Sequence, residues 1–261
     1  MNKNITTTVV LSTILASIPT TAHSDDFIKV KVVDPNEITY ESVREVSNST
    51  SPNNSPINPD LVLRIGEYPD KPGKRLTLPS NEFDYNNLPI KYDKANDNYY
   101  ISEYYFNQKI AKALYKYLLD NGVNVILQDT QSKSEDLNSA GRIARRKSPK
   151  IYLSIHTNSY QDNSSGYFFM SNQGDTHSSQ LAKRLSYSLK DNKLIPMRDN
   201  RVNNGYIGEL NEKPGTFNIL GEFGFFSNPK EAKNLSSDEY INYVAKHMGD
   251  ELIAILKEIS S

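Results

Sequence analysis

The fold is organised around residues 150–158, which read Lys-Ile-Tyr-Leu-Ser-Ile-His-Thr-Asn. Apolar residues at 151, 153 and 155 alternate with polar or amphipathic ones, and Pro149 stands immediately before the run. A two-residue period over so short a segment is typical of a β-strand. His156 comes at the carboxyl end of this predicted strand, which is the edge where open α/β sheets bind their ligands. A lone histidine there is more often structural, so the other candidate residues decide its interpretation.

Predicted strands and helices alternate along the rest of the chain. Apolar runs predict further strands at residues 61–65, 123–127, 166–170 and 217–221. Helices are predicted at residues 103–120, 138–146, 178–189 and 241–256, the last preceded by a capping box of Ser236 and Glu239. Residues 74–100 have no clear period and are interpreted as a long loop or insertion. The alternation predicts the α/β class: a single layered α/β/α domain with a largely parallel or mixed sheet.

The composition sets limits on function. The chain has 261 residues, of which 37% are hydrophobic and 23% charged, enough for one substantial domain with accessory segments. The net charge of -1 gives no reason to expect a nucleic-acid partner. There is no cysteine, which excludes a thiolate nucleophile, a disulfide framework and a cysteine-based zinc finger.

The amino-terminal residues 1–22 resemble a signal peptide. Lys3 precedes a short apolar run at 9–16, and small residues follow up to Ala22. The alternative is a short first helix of the mature protein. The run is too short to span a bilayer, so we expect export to the periplasm, cell wall or medium, without stable membrane insertion after cleavage. Residues 23–60 are interpreted as a strand-like segment and a Ser/Asn/Pro-rich linker, and residues 61–258 as the main domain.

Three glutamates and one histidine occupy positions where chemistry is expected. Glu67 follows the first predicted strand, Glu103 lies in the first turn of a helix, and His156 and Glu222 end two other strands. Each residue alone would more often be a cap, an ion-pair partner or a surface residue. Because the carboxyl ends of parallel strands meet at one edge of a sheet, the four together indicate a site.

Two motifs resemble those of a known family. Ser154-Ile155-His156-Thr157-Asn158 is similar to the Ser-x-His-x-Asn signature of the zinc-dependent N-acetylmuramoyl-L-alanine amidases of bacterial cell-wall turnover. Residues 221–232, Gly-Glu-Phe-Gly-Phe-Phe-Ser-Asn-Pro-Lys-Glu-Ala, resemble the closing motif of that family. The helix that begins at Glu103 also looks like the corresponding helix of the family. The resemblance covers roughly residues 61–258.

The resemblance implies a function and a set of roles. The chain would be an exported peptidoglycan hydrolase that cleaves the amide bond between N-acetylmuramic acid and L-alanine by using metal-activated water. Glu103 and His156 would be ligands of one Zn²⁺ ion, Glu222 the catalytic carboxylate and Asn158 a substrate-binding residue. The family's first strand ends in a Gly-His-Gly-type motif, whereas here Glu67 follows Gly66. Glu67 is the natural replacement ligand, since carboxylates also bind zinc.

Other interpretations remain open at this point. If Glu67 is only a loop residue, the chain is a catalytically impaired amidase-like protein that binds peptidoglycan or a wall-remodelling partner. A metallopeptidase on a similar scaffold is a third interpretation. Carboxylate-rich ligation also suits other divalent ions such as Mn²⁺. The remaining histidines, His23, His177 and His247, are interpreted as surface or capping residues. The sequence gives no indication of the oligomeric state.

Overall fold

The structure is a computed structural model that describes residues 58–69, 71, 73–76, 88, 90–93, 98–129, 148–198, 207–210 and 215–261. All of them belong to one unit of the chain, Pro56–Ser261. The predicted signal peptide at 1–22, the strand-like segment within 23–57 and the predicted helix at 138–146 lie outside the described residues.

Eight strands and four α-helices occur in the described parts of the chain. In chain order they are β1 (Leu61–Ile65), β2 (Lys74–Leu76), β3 (Ile90–Asp93), β4 (Asn98–Ile101), α1 (Glu103–Asp120), β5 (Val125–Gln128), β6 (Ile151–Asn158), β7 (Phe168–Met170), α2 (Thr176–Ser188), β8 (Phe217–Phe225), α3 (Pro229–Leu235) and α4 (Asp238–Glu258). A 3₁₀ turn, Gly208–Leu210, precedes β8. No helix among these is both long and apolar enough to cross a membrane.

The main sheet has five strands in the order β5-β1-β6-β8-β7. Neighbours from β5 to β8 run parallel, and β7 runs antiparallel to β8. Helices α1 and α2 pack against the sheet, and α4 packs against both of these helices. The three helices form the larger core together with strand residues such as Leu63 and Leu153. A smaller cluster of Val62, Tyr152, Leu210 and Leu220 forms separately. The predicted α/β class with a largely parallel sheet flanked by helices is confirmed.

The strand register brings polar residues of distant sequence together. Arg64 on β1 is the register partner of Ser154 on β6, and His156 on β6 is the partner of Glu222 on β8. Successive side chains of a strand point to opposite faces, and these positions alternate with members of the larger core. The four side chains therefore share the face opposite that core, where the candidate site is built.

The interpretation of residues 74–100 as a loop is wrong for the described part of that segment. Strands β2, β4 and β3 form a separate three-stranded antiparallel sheet. Within β4, Tyr99 is 42% exposed whereas Tyr100 and Ile101 are buried. Strands of three or four residues are too short to give a clear period, and cross-strand pairing stabilises them instead.

The capping box predicted at Ser236 and Glu239 is also wrong, because α4 has its N-cap one residue later. Ser237 is the N-cap of α4, and its side chain accepts a hydrogen bond from the Tyr240 N–H at 3.2 Å. Ser236 is instead the C-cap of α3, a helix that the sequence did not predict. Helix α3 has seven residues, too few to show an apolar period, and begins with Asn228 as N-cap and Pro229 in the first turn.

Glu231 of α3 ties this helix to the end of the sheet. Its side chain is buried and accepts hydrogen bonds from Ser165 Oγ at 2.5 Å, Gly166 N at 2.8 Å and Phe225 N at 2.7 Å. We expect Glu231→Ala to lower the free energy of unfolding by about 3 kcal/mol, because it leaves two buried N–H groups without an acceptor. Urea unfolding measures this, and Glu239→Ala on exposed α4 surface is the control, with an expected change within about 0.5 kcal/mol. Equal effects of the two substitutions would contradict the assignment.

Candidate active site

His156 and Glu222 lie inside strands rather than at their ends. Strand β6 continues through Asn158, and β8 continues through Phe225, where it pairs with Asn158 after a register shift. The predicted strand ends at His156 and Gly221 are therefore too early. His156 is 6% exposed and Glu222 is partly buried. The predicted pair is adjacent because the two residues are register partners.

Glu103 reaches this pair from the first turn of α1. Its Oε1 lies 3.0 Å from His156 Nδ1 and accepts from Asn107 Nδ2 at 3.2 Å. The Asn107 amide also donates to the carbonyl of Gly66 at 3.0 Å and its oxygen accepts from Thr157 Oγ1 at 3.0 Å. Asn107 thus connects the start of α1 to the ends of β1 and β6, and it fixes where the Glu103 carboxylate stands.

Glu67 completes the predicted cluster. It follows β1 by two residues with a φ of 66°, a left-handed conformation that costs a non-glycine residue of order 1 kcal/mol or more. Glu67, Glu103 and His156 each offer one ligand atom, and these atoms lie within 4.8 Å of one another. The Glu67 carboxylate is also paired with Lys71 Nζ at 2.5 Å. The structure thus brings the three predicted ligands together.

Gly66 leaves room for the His156 ring next to the end of β1. A Cβ atom at this position would lie only 2.4 Å from Cε1 of His156. No side chain larger than hydrogen fits there without moving the ring, so Gly66 lets β1 approach the imidazole closely.

Sequence reasoning missed two buried charged residues of the site, Arg64 and Glu209. Each is 1% exposed, and Arg64 Nη1 forms an ion pair with Glu209 Oε2. The other oxygen of Glu209, Oε1, lies 3.2 Å from His156 Nε2. Ser154 Oγ donates to Glu209 Oε2 at 3.1 Å and accepts from Arg64 Nη1 at 3.2 Å. An arginine inside the apolar run 61–65 was a usable signal, because a buried charge requires a partner.

The carboxylates and the imidazole shift one another's pKa values. Burial is the largest cause that raises the pKa of Glu222, to about 8; His156 opposes it, while Glu103, Glu209 and Glu67 add to it. Burial alone would raise the pKa of Glu209, but His156, Arg64 and Ser154 lower it to about 2. Burial lowers the pKa of His156, yet Glu209 and Glu103 outweigh it and hold that pKa well above its usual value. The carboxylates around the ring therefore stabilise a positive charge on the imidazole.

The donor set fits a zinc ion. An imidazole nitrogen and two carboxylate oxygens are ligands that catalytic zinc sites use. Among the described residues, Glu222 Oε2 is buried without a hydrogen-bond partner, and the surrounding carboxylates favour a cation. Asn158 is not part of this cluster; it is half-buried at the end of β6, and its carbonyl accepts from Phe226 N at 2.9 Å. His177 is exposed on α2, and His247 stacks on Tyr243 of α4.

The fold is that of N-acetylmuramoyl-L-alanine amidases of known structure. The N-acetylmuramoyl-L-alanine amidase of Clostridium difficile 630 has a TM-score of 0.58 at 19% identity, over 77% of this chain and 98% of that chain. The CwlD amidase of Clostridioides difficile, solved with the GerS lipoprotein, has a TM-score of 0.57 at 20% identity, over 77% and 100%. The catalytic domain of CwlV from Bacillus (Paenibacillus) polymyxa has a TM-score of 0.57 at 21% identity, over 76% and 97%.

The sequence comparison identifies the family. The family described as N-acetylmuramoyl-L-alanine amidase matches residues 92–254, more than half of the chain. The chain therefore belongs to the N-acetylmuramoyl-L-alanine amidase family. The matched region contains Glu103, His156 and Glu222, whereas Glu67 precedes it. The comparison with curated proteins gives no significant match.

Proposed function

We propose that this chain is an exported, zinc-dependent hydrolase of peptidoglycan that cleaves the amide bond between the lactyl group of N-acetylmuramic acid and L-alanine. One observation carries the proposal. Glu103 and His156, two members of the only metal-ligand cluster found in the described residues, lie within the region that matches the amidase family, and so does Glu222. Metal-assisted amide hydrolysis uses a group of metal ligands and a nearby carboxylate that can transfer a proton.

In this proposal Glu67, Glu103 and His156 hold the metal. When bound, a zinc ion supplies Lewis acidity that polarises the scissile carbonyl and makes water a better nucleophile. Neighbouring residues of the chain position these ligands. Asn107 and Gly66 hold the ligands in place, through the hydrogen bonds to Glu103 and the close packing against His156. Asn158, at the end of β6, is proposed to contact the substrate.

Glu222 is the proposed general base and acid. Its carboxylate accepts a proton from the attacking water as the new C–O bond forms at the carbonyl carbon. It then delivers that proton to the amide nitrogen as the C–N bond breaks. The products are the free lactyl carboxylate on the sugar and a free amino group on L-alanine. The position of Glu222 beside His156 in the strand register supports this role.

Product analysis on purified peptidoglycan tests the proposal. The purified protein with one equivalent of Zn²⁺ is expected to release stem peptides with free amino-terminal L-alanine, which mass spectrometry identifies. The Glu222→Gln protein, prepared in the same way, is the matched inactive control. Cleavage between amino acids within the stem peptide would favour the metallopeptidase interpretation, and the absence of any release would contradict hydrolysis.

A second candidate function is supported by the Glu67–Lys71 ion pair. Lys71 Nζ contacts Glu67 Oε2 at 2.5 Å and neutralises a carboxylate that the metal would need. In this second proposal the chain binds peptidoglycan or a wall-remodelling partner without hydrolysis. Metal analysis separates the two functions, since a hydrolase is expected to bind one zinc ion per chain and a binding protein none.

Glu67 is the residue whose substitution tests the unusual ligand set. We expect Glu67→Gly to weaken zinc binding roughly 100-fold or more, because one of three ligands is lost. Glycine adopts the positive φ of this position readily, so the loop keeps its path. Glu67→His is expected to increase the preference for Zn²⁺ over Mn²⁺, since imidazole suits zinc better than carboxylate does.

Calorimetric titration of Zn²⁺ and Mn²⁺ into the wild type, Glu67→Gly and Glu67→His measures these affinities. Lys71→Met is the control, because it removes the partner of Glu67 but leaves the proposed ligand in place; its zinc affinity should not fall. An unchanged zinc affinity in Glu67→Gly would make Glu67 a loop residue and favour the non-catalytic function.

Export is proposed from the amino-terminal residues 1–22, which lie outside the described residues. Sequencing the amino terminus of protein recovered from the producing cell is expected to give a mature chain that starts near His23. An intact Met1, or a pool that stays in the cytoplasm, would contradict export. With peptidoglycan as substrate, the proposed location is the periplasm, the cell wall or the medium.

A further inference from the structure

The two ring nitrogens of His156 contact two different carboxylates. Nδ1 lies 3.0 Å from Oε1 of Glu103, a member of the metal-ligand cluster. Nε2 lies 3.2 Å from Oε1 of Glu209, which is not a member. The imidazole therefore presents one nitrogen to the candidate metal position and the other to a residue behind it.

The Glu209 carboxylate is fixed from its other side. Oε2 is paired with Arg64 Nη1 and accepts from Ser154 Oγ at 3.1 Å. Arg64, Glu209 and Ser154 are all at most 1% exposed, so water does not compete for these hydrogen bonds. Arg64 and Ser154 are register partners on neighbouring strands, which gives the group a rigid base.

The hydrogen between Nε2 and Glu209 belongs to the imidazole. An ionised carboxylate only accepts hydrogen bonds, so Nε2 must donate if it bonds to Oε1. Arg64 Nη1 is also 3.4 Å from Nε2, but it already contacts Glu209 and Ser154, and its distance to Nε2 is the longest of the three. Nδ1 faces the Glu103 carboxylate in the same way, so both ring nitrogens can donate as long as no metal is bound. A histidine that binds a metal through Nδ1 gives up the hydrogen on that nitrogen and keeps the one on Nε2, which Glu209 accepts.

We propose that Glu209 is a positioning residue for the metal centre: it holds the hydrogen of His156 Nε2 and so directs the Nδ1 lone pair at the metal. The inference rests on the proposed function, because it assigns a role relative to a metal that His156 would bind. Carboxylates that hold a ligating histidine in this way usually contribute 10- to 100-fold to metal affinity. Arg64 and Ser154 act through Glu209 by fixing its orientation.

The test combines zinc affinity with a spectroscopic measurement of the ring. In the zinc-loaded wild-type protein, ¹⁵N NMR of the His156 ring is expected to show a metal-bound Nδ1 and a protonated Nε2. This measurement needs no variant. In the double variant Arg64→Met with Glu209→Leu, calorimetry is expected to show zinc binding that is about 10- to 100-fold weaker. Removing both charges together avoids an unpaired buried arginine, which would endanger folding in Glu209→Leu alone.

Glu251→Gln is the matched control. Glu251 on α4 also pairs with an arginine, since its Oε1 lies 2.7 Å from Arg184 Nε, but it does not contact His156. The Glu251→Gln protein should therefore bind zinc as tightly as the wild type. Metal bound through Nε2 in the wild type would overturn the proposal. A folded double variant that binds zinc as tightly as the wild type would also overturn it, while leaving the metal centre in place. A wild-type protein that binds no zinc would overturn both.

Discussion

Glu222→Gln is expected to lower the rate of peptidoglycan hydrolysis by about 10² to 10⁴-fold, the usual contribution of a general acid–base group. Glutamine has nearly the same shape as glutamate but cannot take a proton from water or deliver one to the leaving nitrogen. Burial and the neighbouring carboxylates raise the pKa of Glu222 to about 8. The other described carboxylates whose pKa is shifted have lowered values. A carboxylate with such a perturbed pKa in a polar cluster is typical of a catalytic group.

The fold and the metal should survive this substitution. Glu222 Oε2 has no hydrogen-bond partner in the described structure, so the amide group breaks no existing bond at that atom. Hydrolysis is measured by the release of soluble muropeptides from sacculi, next to zinc stoichiometry and thermal unfolding. Glu258→Gln, an exposed carboxylate on the last turn of α4, controls for a general loss of charge. A Glu222→Gln protein that hydrolyses at the wild-type rate would mean that the base lies elsewhere.

The parts of the fold that sequence predicted are those with many residues and a strong period. Helix α1 begins at Glu103 and ends at Asp120, as the spacing of its apolar residues predicted. Strand β1 has the predicted limits, because its five residues are all buried and four of them, all but Arg64, are apolar. Helix α3 and the β2-β4-β3 sheet escaped prediction because each element has at most seven residues. Their stability comes from tertiary contacts such as those of Glu231, which local patterns do not show.

Strand order made part of the site predictable. His156 and Glu222 each occur in a recognisable strand, and parallel pairing placed them side by side. Glu209 lies 145 residues from Arg64 along the chain, in a polar segment without a period, so no local pattern linked them. Arg64 alone indicated that a partner had to exist. Which acidic residue supplied it depends on how the 3₁₀ turn packs over the sheet, which only the folded chain determines.

His156→Ala is expected to abolish both stoichiometric zinc binding and measurable hydrolysis. His156 is the only imidazole of the candidate cluster, and without it only carboxylate oxygens remain at the site. Zinc sites with catalytic function commonly depend on imidazole nitrogen, whereas carboxylate-only sites suit harder ions such as Mg²⁺ or Mn²⁺. The substitution also removes the imidazole nitrogens that lie 3.0 Å from Glu103 Oε1 and 3.2 Å from Glu209 Oε1. The repulsion between the acidic residues of the site therefore increases.

Metal analysis after dialysis and hydrolysis of sacculi measure the effect of His156→Ala. His177→Ala is the matched control, since that histidine is exposed on α2 and outside the cluster. Circular dichroism and thermal unfolding separate loss of metal from loss of fold, because a folded His156→Ala protein without zinc is the expected result. A His156→Ala protein that retains one zinc ion per chain would place the metal away from Glu67 and Glu103. The role proposed for Glu209 would then fall with it, because it is defined by the contact of Glu209 with this imidazole.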